Sequence, residues 1–161
     1  MNYKKYINDI PDYPSEGILF RDIQPLIANH AAFDLATSNM LNLVDINNID
    51  YFIGIESRGF IFSSSLALKS GRGNILIRKK GKLPNENLVS ISYDTEYSRD
   101  SIEIQEGKGN VIIVDDVYAT GGTMNAAIKL AKKAGFSVID TLCLIDIGII
   151  KEHGTKCLIY Y

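Results

Sequence analysis

The sequence predicts an α/β domain built on a central, mainly parallel sheet flanked by helices. The first observation is a set of short apolar runs, YFIGI (51–55), NILIRKK (74–80), GNVIIVDD (109–116) and SVIDTLCLID (137–146), which read as strands buried on both faces. The second is that stretches with apolar residues at helical spacing stand between them, the alternation a parallel sheet with crossover helices requires. The third concerns where these runs end. Glu56-Ser57-Arg58-Gly59, Arg78-Lys79-Lys80-Gly81-Lys82 and Asp115-Asp116 follow three of them directly, and in such sheets the ligand crevice lies beyond the carboxyl ends of the strands.

Taken in chain order, TSNMLNLVDI (37–46) places Met40, Leu41 and Val44 on one helical face, and YFIGI follows as a strand. FIFSSSLALKSG (60–71) reads as a helix closed by Gly71. After NILIRKK the alternation breaks. RKKGKLPNEN (78–87) is basic and carries Gly and Pro, and LVSISYD (88–94) and SIEIQEG (101–107) then alternate like strands, which suggests a flexible loop leading into a two-stranded flap. TMNAAIKLAKKAG (123–135) is the best marked helix. Met124, Ala127, Ile128 and Ala131 line one face, Lys129, Lys132 and Lys133 suit its negative C-terminal end, and Gly135 stops it.

Length and composition narrow the field. A chain of 161 residues can bury a full core without metals or disulfides, and one domain, 1–161, is expected. With 17 Lys+Arg against 19 Asp+Glu the net charge is -2, so no overall field draws the protein to nucleic acid or an anionic membrane. No signal-type apolar core or membrane-length run is present, and a cytoplasmic protein is expected. Cys143 and Cys157 show no CxxC spacing and are expected to be reduced thiols. His30 and His153 show no partner acid and no ligands at metal spacing.

The segment VIIVDDVYATGGT (111–123) carries the most chemistry. Its strand delivers Asp115 and Asp116 to the crevice, and the turn leads straight into a helix whose first amides are unpaired and whose dipole is positive at that end. Gly121 and Gly122 let the backbone approach a phosphate closely, and Thr120 and Thr123 offer hydroxyls. A phosphate cradle flanked by carboxylates suits a phosphorylated sugar, with the carboxylates accepting from vicinal ribose hydroxyls. The GxxxxGK[ST] spacing of a P-loop kinase and the GxGxxG of a dinucleotide fold are both missing.

This segment resembles the phosphoribosyl-pyrophosphate (PRPP) motif of type I phosphoribosyltransferases. PDYPSEGILFRDIQPLI (11–27), GIESRGF (54–60), RKKGKLP (78–84) and YDTEYSRDSIEI (93–104) together resemble the adenine phosphoribosyltransferase family, in the order that family shows. The resemblance implies the type I phosphoribosyltransferase fold with a flap or hood, and a Mg²⁺-dependent transfer of PRPP to adenine that yields AMP and pyrophosphate. It divides the chain into a base-contacting segment 1–30, a core of 33–80 and 108–161, and a loop and flap 78–107. It assigns PRPP to Ser57, Arg58, Arg78, Lys82, Asp115, Asp116, Ala119, Thr120, Gly121, Gly122 and Thr123. Arg58 and Lys82 would also serve the chemistry, Arg58 as a fork on phosphate oxygens and Lys82 as a mobile point charge.

The same likeness places the base against Leu19, Arg21 and Ile147, with the backbone around ILFRD reading the adenine edge; Ile18, Leu19 and Phe20 equally suit an apolar anchor for a packed N-terminal arm. Glu96 matches the flap carboxylate, which could manage the N7 proton while N9 attacks C1′, although the residues alone read equally as an exposed loop glutamate. Mg²⁺ would be held mainly by PRPP and water, without direct protein ligands. A homodimer is implied, because the basic loop can approach a neighbouring subunit's site.

Four positions depart from the family pattern. Gln24 stands for a small hydroxyl residue, Ser63 and Ser98 stand for glycines, and after Asp146-Ile147 the usual Gly-Arg turn is reduced to IIKEHGTK. The alternatives carried are a phosphoribosyltransferase for another purine or a nonstandard base, and a non-catalytic PRPP-sensing regulator. Such a sensor usually needs an output domain, for which 161 residues leave no room, and would not need Glu96 or the Lys-Gly-Lys lid.

Overall fold

The computed structural model describes residues 1–84, 86–94 and 99–161. After a 3-10 turn at Tyr3–Tyr6, a small antiparallel hairpin pairs β1 (Asn8–Pro11) with β2 (Leu19–Asp22), Ile10 opposite Phe20. Two helices follow, α1 (Gln24–Ala28) and α2 (His30–Leu41), the second capped by Asn29, whose side chain accepts from the Ala32 amide at 3.0 Å. The remaining elements are β3 (Tyr51–Ile55), α3 (Gly59–Ser70), β4 (Gly73–Lys79), β5 (Leu88–Asp94), β6 (Arg99–Gln105), β7 (Gly109–Tyr118), α4 (Gly122–Lys133), β8 (Phe136–Asp146) and β9 (Lys156–Tyr160).

The sheet runs in the order β5-β6-β4-β3-β7-β8-β9, parallel from β4 through β9 and antiparallel where β6 joins. Alternation along the strands divides the apolar side chains between two faces. Phe52, Ile112, Val114, Leu142 and Leu144 pack under α2 and α3 with Met40, Phe62 and Leu66. Ile53, Ile55, Val111, Ile113 and Cys143 pack under α4 with Met124, Ala127, Leu130 and Ala131. Full burial of side chains the size of Phe52, Phe62 or Leu130 contributes about 1.5–3 kcal/mol each. No helix among the described residues is long and apolar enough to cross a membrane.

One expectation changes and two features are added. The helix through Met40 and Leu41 stops at Leu41, so Val44 lies beyond it. The Val44 amide donates to the Leu41 carbonyl at 3.3 Å, a tightened last turn, and the Asp45 side chain takes up the Asn47 amide at 3.0 Å. Val44 still packs against the core from that turn. The expected two strands are present as β5 paired with β6, and they join the main sheet: β6 is stitched to β4 through Arg78 opposite Glu103 and Lys79 opposite Ile102, and Val89, Ile102 and Ile104 are buried in the α4 face. The N-terminal arm contains a hairpin, which its exposed, Pro-bearing first strand does not announce.

Candidate functional site

β3 ends at Ile55, and Glu56-Ser57-Arg58 turns the chain into α3. A Cβ on Gly59 would come within 2.7 Å of the Val114 carbonyl oxygen, so only glycine lets α3 start this close to β7. That approach sets Arg58 beside the β7 carboxylates. Its Nε lies 2.7 Å from Asp116 Oδ2, its Nη1 donates to the Arg21 carbonyl at 3.2 Å, and its guanidinium lies 4.6 Å from the Phe20 ring centroid. One side chain therefore ties the carboxylate pair to the N-terminal hairpin. The anion that the sequence lacks at this helix start is supplied across the crevice by Asp116.

Asp116 is buried, whereas Asp115 is partly open to the crevice and its Oδ1 accepts from the Asp116 amide at 2.9 Å. Burial pushes the Asp115 carboxyl well above its ordinary range, and the neighbouring Asp116 charge pushes it further. Burial also raises Asp116, opposed chiefly by the Arg58 guanidinium. Two carboxylates in this setting gain from any ligand that donates hydrogen bonds to their charged form, as a vicinal diol does.

Beyond them the chain enters the turn to α4. Gly121 precedes the helix at φ 80°, a left-handed conformation, and no side chain caps the helix start. The first α4 amides therefore remain available at the positive end of a 12-residue helix. Asp115 and Val117 to Met124 enclose a hollow of about 70 Å³ there, of phosphate dimensions. It adjoins a cavity of about 400 Å³ lined by Glu56, Ser57, Arg58, Lys79, Asp100, Asp115, Asp116 and Thr123. A third space, about 430 Å³, is bounded by Gly17, Ile18, Leu19, Arg21, Ile147 and Ile149. Ala119 lines all three, so the small hollow at the start of α4, a charged middle and an apolar end meet at one residue.

This arrangement can be set beside known proteins. The phosphoribosyl transferase domain family matches residues 24–157. The adenine phosphoribosyltransferase of Bdellovibrio bacteriovorus is 45% identical over 152 residues, covering 94% of this chain and 92% of that protein. That of Thermotoga petrophila is 41% identical over 171 residues, covering 100% of both. The structure of the Giardia lamblia enzyme complexed with 9-deazaadenine superposes with a TM-score of 0.91 at 31% identity, covering 99% of this chain and 96% of that one. The chain belongs to the adenine phosphoribosyltransferase family.

For an adenine phosphoribosyltransferase the distribution of the expected residues is informative. Ser57, Arg58, Asp115, Asp116, Ala119 and Thr123 share the middle cavity, Thr120, Gly121 and Gly122 the phosphate-sized hollow, and Leu19, Arg21 and Ile147 the apolar end. Arg78 and Lys82 stand apart from those lining the middle. Arg78 Nε lies 3.4 Å from Glu56 Oε2 and its Nη1 donates to the Lys82 carbonyl at 3.2 Å, while Lys82 is exposed and its amide donates to Glu103 Oε1 at 2.9 Å. Glu96 lies outside the described residues.

Lys79, Asp100 and Ile149 belong to the cavities but were not among the expected site residues. Lys79 pairs with Asp100 at 3.3 Å and lines the middle cavity, and strand alternation within the basic run was the signal that could have chosen it. Asp100 comes from β6 and depends on long-range pairing. Ile149 follows Ile147 in the shortened segment and forms part of the apolar wall. One expectation is corrected: His153 does have a partner acid, its Nε2 lying 3.0 Å from Asp146 Oδ2, a pairing made by a loop that turns back over seven residues.

Proposed function

We propose that this chain joins adenine to PRPP, releasing pyrophosphate and forming AMP, as its family membership indicates. The observation that carries the reading is the meeting of three spaces at Ala119, in the order phosphate, ribose with pyrophosphate, base. The 5′-phosphate would lie against the α4 amides and the hydroxyls of Thr120 and Thr123. Asp115 and Asp116 would accept from the ribose 2′- and 3′-hydroxyls, and Ser57, Arg58 and Lys79 would face the pyrophosphate. Arg78 at the end of β4 and Lys82 on the exposed turn that follows would join them when that turn folds over the ligand. Adenine would lie between Leu19, the Arg21 backbone and the Ile147-Ile149 wall.

In the transfer, the bond from C1′ to the pyrophosphate oxygen breaks as a bond from C1′ to adenine N9 forms, and the ribose becomes oxocarbenium-like between them. The Asp115-Asp116 charge stabilises that cation through space, Arg58 takes negative charge developing on the leaving group, and Glu96 accepts the N7 proton. Arg58 is already held by Asp116, so it is placed before the substrate arrives. Among the described residues no group of three or more acidic, His or Cys side chains could hold a metal, yet Glu56, Asp100, Asp115 and Asp116 line one cavity. That donor set suits a hydrated Mg²⁺ carried mainly by PRPP oxygens. When bound, the ion neutralises charge on the departing pyrophosphate.

A homodimer is proposed with it, the exposed side chains of Lys79, Lys80 and Lys82 being those through which the basic segment would approach a second copy; light scattering showing only monomer would remove that part. A cytoplasmic setting accords with Cys143 and Cys157, which face each other across β8 and β9 as free thiols. The direct test is incubation with PRPP and Mg²⁺ beside adenine, hypoxanthine, guanine or xanthine, with chromatography of the nucleotides. AMP from adenine alone is expected. A nucleotide from another base would move the specificity, and none from any base, with measurable PRPP binding, would return the reading to a sensor.

A further inference from the structure

The segment in which this chain departs most from the family pattern, residues 147–155, brings a histidine back beneath the phosphate turn. His153 is nine-tenths buried, with 10% of its side chain exposed, and Asp146 beside it is 8% exposed. The two Asp146 oxygens are divided: Oδ1 accepts from the Gly148 amide at 2.8 Å and Oδ2 faces His153 Nε2 at 3.0 Å. Nδ1 of His153 has no hydrogen-bond partner among the described residues, so the imidazole is held at one edge only. Its face is what it presents. The ring stacks on Tyr118 at 4.0 Å between centroids and 27° between planes.

Tyr118 closes the link to the turn. It is buried, its carbonyl accepts from the Ile147 amide at 3.1 Å, and its phenol lies over Gly121, where a Cβ would meet the hydroxyl at 2.5 Å. The left-handed Gly121 that starts α4 is thus braced from outside by Tyr118, and Tyr118 is braced by His153. Beside this stack lies a further cavity of about 500 Å³, lined by Tyr118, Thr120, Asn125 and His153 among others.

We propose that His153 is a positioning residue for PRPP binding: anchored by Asp146, it stacks on Tyr118 and so fixes Gly121 and the phosphate turn. This rests on the reading of Gly121–Thr123 as the phosphate cradle. Small displacements of binding amides cost affinity steeply, because cradle geometry must match the phosphate oxygens.

Steady-state kinetics of His153→Ala, His153→Phe and Thr123→Val test it, with the KM for PRPP and for adenine measured separately. In His153→Ala the KM for PRPP should rise about tenfold while that for adenine moves by no more than about twofold. His153→Phe, which keeps a ring on Tyr118, should recover most of the PRPP KM. Equal shifts in both KM values, no shift, or a Phe variant as weak as Ala would overturn the proposal. Thr123→Val separates the two readings: if it weakens PRPP and His153→Ala does not, only the positioning role fails. If neither variant affects PRPP, the cradle assignment fails with it.

Discussion

Replacing Arg58 with methionine should destabilise the protein in a way that grows with pH. Two contributions can be separated. The guanidinium's position by Phe20 and its hydrogen bond to the Arg21 carbonyl are lost at every pH, about 1 kcal/mol together. The pairing with Asp116 is different, because its loss leaves a buried carboxylate beside Asp115. Breaking a fully buried pair costs about 3–5 kcal/mol. Here Arg58 is 34% exposed against 7% for Asp116, and either aspartate can take up a proton, so about 1–3 kcal/mol is expected.

Both aspartates already have folded pKa values above their ordinary 3.8, and Arg58 is what opposes the rise at Asp116. Without it the folded pKa values climb further. Stability that depends on holding those protons is fully present below about pH 4 and is lost as pH rises through the folded values. The deficit of Arg58→Met should therefore be about 1 kcal/mol near pH 5 and about 2–4 kcal/mol at pH 8. Urea unfolding followed by circular dichroism should show the midpoint difference widening by roughly 1 M between those pH values. A deficit constant with pH, or larger at pH 5, would refute the reasoning.

Asp116→Asn keeps an acceptor oxygen but loses the charge, and should raise the KM for PRPP about tenfold in steady-state assays. Glu96→Gln should leave PRPP affinity near that of the parent by calorimetry and lower kcat by about a hundredfold; equal loss of both would end the division of labour between flap and cradle. Gly121→Ala forces a side chain into φ 80° and against the Tyr118 phenol, so thermal unfolding should show a loss of about 1–3 kcal/mol, with PRPP binding lost as well.

The central strands were legible because they are buried on both faces and so read as unbroken apolar runs, Phe52 and Ile53 facing opposite cores within one of them. The turn from β7 into α4 was legible because its requirements are local: a strand end, glycines and a helix start. What depends on pairing between distant segments was not. Strand alternation separates Lys79 from Arg78 locally, but the placing of its partner Asp100 in the middle cavity follows from the pairing of β6 with β4. The hairpin of β1 and β2 exposes most of its residues and has no periodic signature. The Asp146-His153 pair spans a loop, where spacing in sequence says little about distance. Ser63 is a milder case: it is buried against β3 where Gly54 leaves room for it, so the departure from glycine is absorbed by its neighbour.

The most direct single measurement is a crystal structure with AMP bound. The expected result has the phosphate within hydrogen-bond distance of the Gly121–Thr123 amides, the ribose hydroxyls on Asp115 and Asp116, and the adenine between Leu19 and Ile147, passing Ala119. AMP seated elsewhere, or with its base directed away from the N-terminal hairpin, would contradict the reading of three connected spaces as one active site.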